Sequence, residues 1–140
     1  MLHEALKYYG QKEITGPESN TVILEMIQEM YSKAKDDSRI AWCSIFMNAV
    51  AKRAGYPQSD SMAARSWLKV GEPTDYPAVG DVVVFWRYKP NSWQGHVGLY
   101  IREDANYVWC LGGNQSDAVN IRKYLKNKVL GYRKLKKLRF

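Results

Sequence analysis

Apolar positions along the chain change their period once. Over roughly the first half they recur at three- and four-residue spacing, and from Asp81 onward they form short Val- and aromatic-rich runs. Leu2 to Tyr9 reads as a short helix ended by Gly10, followed by the turn-rich link Thr15 to Asn20. Asn20 or Thr21 is placed to cap a second helix with the stripe Val22, Ile23, Met26, Ile27 and Met30. Lys33 to Arg39 reads as a polar loop. A third helix is predicted from Cys43 to Ala54, burying Ile45, Phe46, Ala49, Val50 and Ala54 and stopped by Gly55 and Pro57. Ser61 to Lys69 is a short helix with Ser61 as its cap, and Gly71 to Gly80 is a loop holding Pro73 and Pro77. Five strands follow: Asp81–Trp86, His96–Arg102, Tyr107–Leu111, Val119–Leu125 and Val129–Leu135. Helices first and consecutive strands afterwards predict one α+β domain over residues 1–140, with the N-terminal helices packed on an antiparallel sheet of about five strands.

Composition narrows the class. The chain has 140 residues, 46% hydrophobic and 25% charged, which fits one globular domain with its own core. That excludes disordered, collagenous and disulfide-scaffold proteins. No apolar run approaches the ~18 residues of a membrane span. Met1 to Gly10 carries polar and charged residues where a signal peptide needs an apolar stretch. The expectation is therefore cytoplasmic synthesis and release by a route other than general secretion.

The net charge of +7 is unevenly distributed. Residues 1–121 hold 12 Lys and Arg against all 14 acids, a net −2, and residues 122–140 hold nine Lys and Arg and no acid. This basic C-terminal tail is a footprint for a polyanion, or else a solvated charged strand. No zinc finger, RNP motif or basic heptad helix is present, so no nucleic-acid partner is expected.

Two cysteines are too few for a disulfide framework. With no CxxC or HxxxH pattern, a metal site is not expected, and no Asp-dense loop suggests calcium. No cofactor is implied. The thiol with a chemical setting is Cys43, at the start of a predicted helix. The macrodipole and the free N–H groups there favour thiolate and can hold an oxyanion. The alternative is a small buried apolar residue. His96, in Gly95-His96-Val97-Gly98, starts a strand between glycines that allow another chain to approach. Its ordinary pKa near 6.5 suits a general base. A third group must orient the imidazole. Asn114, in Leu111-Gly112-Gly113-Asn114-Gln115-Ser116-Asp117, is the first polar residue after the paired strand. Gln115 and Asp117 are rivals, and the two glycines alone would read as turn chemistry. Cys110, mid-strand, reads as core.

Trp42-Cys43-Ser44, Gly80-Asp81 before a Val-rich strand, Gly95-His96-Val97-Gly98 and Gly112-Gly113-Asn114-Gln115 occur in an order that resembles a known superfamily. It is the cysteine, histidine-dependent amidohydrolase/peptidase (CHAP) and NlpC-like cell-wall hydrolases. Lys12 to Asn20, Ala64-Arg65-Ser66-Trp67 and Val129 to Arg133 are similar to a small phage- and bacterium-encoded branch of it. Arg39-Ile40-Ala41 departs from that pattern, where a Pro before Trp is expected.

The resemblance implies a papain-like fold and amide hydrolysis in peptidoglycan through a thioester. The enzyme would be an N-acetylmuramoyl-L-alanine amidase or a stem or cross-bridge endopeptidase, as an endolysin or a delivered toxin. By position, Cys43 matches the nucleophile, His96 the base and Asn114 the third residue. Trp42, Arg65, Trp67 and Gly95 would line the substrate groove, with Arg65 suited to a stem carboxylate. Trp86 could join them, although its strand position favours core packing. The tail would attract an anionic wall polymer, and a toxin could have an immunity protein as partner. Two other readings use the same residues. One is an intracellular cysteine amidase or transferase. The other is a non-catalytic polyanion-binding module with a structural Cys and His.

Overall fold

The structure is a computed structural model describing residues 1–14, 20–30 and 42–139. The expected turn link at 15–19, the polar loop at 33–39 and the Arg39-Ile40-Ala41 departure lie outside the described residues. Among the described residues the chain is α+β: three α-helices, α1 (Leu2–Leu6), α2 (Thr21–Met30) and α3 (Cys43–Ala54), precede a six-stranded antiparallel sheet. The strands are β1 (Glu72–Thr74), β2 (Val82–Trp86), β3 (Gly95–Glu103), β4 (Tyr107–Gly112), β5 (Asn120–Leu125) and β6 (Val129–Lys134). Their spatial order is β1-β6-β2-β3-β4-β5.

The local chemistry explains the boundaries. Asn20 Oδ1 accepts from the amides of Val22 and Ile23, at 3.0 and 3.2 Å, capping α2. Gly55 ends α3 in the left-handed region at φ 79°, which costs glycine least. Two expectations change. Ala64–Lys69 is a 3-10 helix, and Ser61 Oγ accepts from the Ala63 amide before it begins. Within the expected loop 71–80, Glu72–Thr74 pairs with β6 as a sixth strand. Its Pro73 is tolerated because the strand lies at the sheet edge.

Helix α3 is buried on all sides from Cys43 to Ala51. One side meets Ala5 of α1 and Ile23, Met26 and Ile27 of α2, and another meets Val82, Val84, Val97 and Leu99 of the sheet. The opposite sheet face builds a second cluster of Val83, Phe85, Tyr100, Val108 and Cys110, without any helical residue. Flat strands lie about 4.8 Å apart, so β2 and β5, three steps apart, would be separated by roughly 14 Å. Yet the rings of Phe85 on β2 and Tyr124 on β5 have centroids 4.9 Å apart. The sheet therefore curls into a trough around this second cluster, with α3 packed outside it.

The same strand order divides the basic tail. Strand β5 forms one edge, while β6 lies next to the opposite edge. Lys126 pairs with Glu103, Lys134 with Asp81, and Arg133 donates to the carbonyls of Val70 and Gly71. The nine cations thus sit on two strands that do not pair with each other, on the turn between them and on the tail beyond, with part of their charge already engaged. None of the described helices is long and apolar enough to cross a membrane.

Candidate active site

Cys43 is the first residue of α3, and Trp42 precedes it as N-cap. The sulfur is nearly buried, 5% exposed for the residue as a whole. The backbone N–H groups of Val97, Ser44 and Cys43 itself lie near it. These donors and the charge of Arg87 favour thiolate, as the helix start predicts. Burial outweighs them and raises the thiol above its ordinary pKa. Burial thus favours a resting thiol, against the pull towards thiolate from the helix start.

His96 points into the trough and is 2% exposed. Its ring stacks against Phe85 and Tyr124, with centroids at 6.3 and 4.9 Å. Burial lowers its pKa to about 4; the Gln115 bond pulls upward and Arg87 pushes further down. The imidazole is therefore neutral at pH 7.

The side chain that meets His96 is Gln115. His96 Nε2 lies 2.8 Å from Gln115 Oε1. Asn114 makes no bond to His96; it takes the turn's left-handed conformation at φ 58°. That corrects the first choice in favour of one of its rivals. Asp117, the other, is exposed and likewise left-handed, at φ 62°.

Two backbone carbonyls fix the direction of the Gln115 amide. Asn120 Nδ2 donates to the Gln115 carbonyl at 3.0 Å, which turns Asn120 Oδ1 towards Gln115. Gln115 Nε2 then donates to Asn120 O and Oδ1 at 2.8 and 3.0 Å. Oε1 is left as an acceptor facing His96, and it also takes the Cys110 S–H at 3.2 Å. His96 Nε2 must then carry the proton, which leaves Nδ1 with the free lone pair. No hydrogen bond joins Cys43 to His96. What links them is β3 itself, through the amide of Val97 near the sulfur and the imidazole one residue earlier.

Gly112 and Gly113 prove to be more than turn residues. A methyl on Gly112 would sit 2.8 Å from Gln115 Oε1, and one on Gly113 2.7 Å from both Phe46 Cβ and the Trp42 ring. The bare backbone lets the end of β4 approach α3 and gives the Gln115 amide room. Gly98 is close-packed as well, since its methyl would meet Cys110 Sγ at 2.9 Å.

A cleft of about 260 Å³ opens over Cys43. Gly95 lines it as expected, but the other three groove residues do not. Trp42 and Trp67 are core, 1% and 0% exposed. Their indole N–H groups donate to Glu13 Oε2 at 2.8 Å and Ser44 Oγ at 3.0 Å. Arg65 spends its guanidinium on the β2–β3 loop, donating to the carbonyls of Gln94, Pro90 and Lys89 at 2.9, 2.8 and 3.0 Å. The cleft walls are instead Met62 to Ala64 on one side and Arg87, Tyr88, Trp93 and Gln94 on the other. Ser44 Oγ donates to the Ser61 carbonyl at 2.7 Å and fastens the first wall to α3. Trp93, in an otherwise polar loop and 76% exposed, was the available sequence signal for the second.

Among the described residues no cluster of three or more His, Cys, Asp or Glu could hold a metal ion. No protein-family model matches the chain, and neither does any curated protein sequence.

Proposed function

We propose that this protein is a papain-like cysteine hydrolase that cleaves an amide bond in peptidoglycan, either the N-acetylmuramoyl-L-alanine bond or a peptide bond of the stem or cross-bridge. The observation that carries the reading is the arrangement around the start of β3. A thiol at a helix N-terminus opens on a cleft near Val97 of β3, and the residue before Val97 holds a neutral imidazole in one tautomer through Gln115 and Asn120. The superfamily resemblance of the sequence supplies the substrate.

In this mechanism Sγ adds to the substrate carbonyl carbon while its proton passes to His96 Nδ1. The N–H groups at the start of α3 face the developing oxyanion. His96 returns the proton to the leaving amine as the C–N bond breaks, giving a thioester. Water, deprotonated by His96, then adds to the thioester and releases a carboxylic acid and the thiol. A resting thiol and a neutral base suit this order, since the proton moves as the sulfur attacks. The C-terminal cations would draw the enzyme to an anionic wall polymer.

Mass spectrometry of purified peptidoglycan after incubation with wild type and with Cys43→Ala tests the reading. New fragments should appear with the wild type alone. Free stem peptides would identify an amidase, and split stems or cross-bridges an endopeptidase. Intact walls from several bacterial types after wild-type treatment would overturn it.

A further inference from the structure

We propose that the cleft over Cys43 takes an amide carrying a carboxylate beside the scissile bond, and that Arg87 binds that carboxylate. This names the substrate class of the site and rests on the hydrolase reading.

Among the described residues Arg87 is the one charged side chain lining the cleft, and no acidic one lines it. Four other arginines are occupied. Arg53 pairs with Glu29, Arg65 and Arg133 donate to backbone carbonyls, and Arg102 lies 3.6 Å over the Trp109 ring. Arg87 is exposed, and none of the ion pairs among the described residues involves it.

Its backbone, by contrast, is fixed. The Arg87 amide donates to the Gln94 carbonyl at 3.3 Å, Ser92 Oγ donates to the Arg87 carbonyl at 2.9 Å, and Arg65 ties down the rest of the loop. A held backbone with an uncommitted guanidinium beside a nucleophile is a preorganised anion receptor. The planar fork of N–H donors matches a carboxylate in two parallel bonds. Its charge already reaches both the Cys43 thiol and the His96 ring. Tyr88 and Trp93, 78% and 76% exposed, offer ring faces on the flanks for the rest of the substrate.

The test uses two reagents that differ only as a carboxylate differs from its amide. Iodoacetate and iodoacetamide both convert the Cys43 thiolate to a thioether with loss of iodide. Alkylation is followed on the Cys43 peptide by mass spectrometry, so that Cys110 does not interfere, and rates are referred to a small free thiol. The iodoacetate-to-iodoacetamide ratio at Cys43 should exceed that of the free thiol about tenfold, equivalent to about 1.4 kcal/mol. It should fall to the free-thiol ratio in Arg87→Gln and recover in part in Arg87→Lys. Any change in Cys43 acidity acts on both reagents alike and cancels in the ratio. A wild-type ratio equal to that of the free thiol, or an Arg87→Gln ratio equal to wild type, overturns the assignment.

A second arm compares soluble muropeptides before and after amidation of their carboxyl groups. Arg87→Gln should raise KM on the native fragments and leave the amidated ones unchanged. Equal losses on both would overturn the role of Arg87 while leaving the hydrolase intact. An iodoacetate preference in a protein that cuts no muropeptide would uphold Arg87 as the anion receptor and overturn the hydrolase reading alone.

Discussion

Cys43 and His96 reach β3 from different clusters and meet different surroundings. Cys43 packs with the helix-side core, but its sulfur borders a cleft with a mobile-length cation and two exposed rings. His96 is walled in by Phe85 and Tyr124, and its one side-chain partner is an amide. Desolvation acts on both, raising the thiol and lowering the imidazole, so each group rests uncharged. The thiol's surroundings leave it accessible, and the imidazole's fix its orientation. On the proposed mechanism, substrate contact supplies the charge separation that the free protein avoids.

The largest effect expected from this contrast is a pH dependence of stability. An ordinary histidine takes its proton near 6.5, whereas His96 resists until about 4. Between those values the unfolded chain binds a proton that the folded one excludes. The His96 contribution is therefore complete above about pH 6.5 and falls by about 3 kcal/mol as the pH drops to about 4. Denaturant unfolding at pH 7 and pH 4.5 measures the slope. The His96→Asn variant should lose that part of it, and equal slopes in the two proteins would mean that the imidazole is wet.

Gln115→Leu comes next. It strands the His96 N–H in a dry site, at roughly 1–3 kcal/mol of stability, and frees the tautomer. Hydrolysis should fall roughly 100-fold or more, the scale of a positioned proton transfer. Gln115→Glu keeps an acceptor and lifts the imidazole, so it should restore activity with the acid limb of the pH profile moved upward. Full activity in the Leu variant would remove Gln115 from the site.

Cys110→Ser should change least. A hydroxyl still donates to Gln115 Oε1, so activity should stay within about twofold and stability within about 1 kcal/mol. Loss of activity in a folded Cys110→Ser protein would reverse the roles of the two thiols.

The sequence made much of this legible where one local rule decides. The bounds of α3, the cap at Asn20 and five strands follow from periodicity and stop residues. Cys43 at a helix start and His96 at a strand start were readable for the same reason. The sixth strand was not, because three residues with a proline have no period of their own and are recruited by β6. The choice of Gln115 over Asn114 depends on which residue of the turn takes positive φ, and spacing does not carry that. The groove residues Trp42, Trp67 and Arg65 were misplaced because large rings and guanidinium groups serve cores and loops as readily as ligands. Their indole and guanidinium donors had partners far along the chain, at Glu13, Ser44 and the 89–94 loop. The basic tail looked continuous in sequence, and the strand order spreads it over two strands that do not pair with each other.

The Arg65 clamp has a kinetic consequence. A loop held by three carbonyl contacts from one side chain presents Arg87, Tyr88 and Trp93 already in position. An incoming chain then loses little extra freedom to the protein's own ordering, and capture is limited by diffusion and orientation. Without that one guanidinium, every encounter would first have to organise the rim, and most would end before the rim had formed.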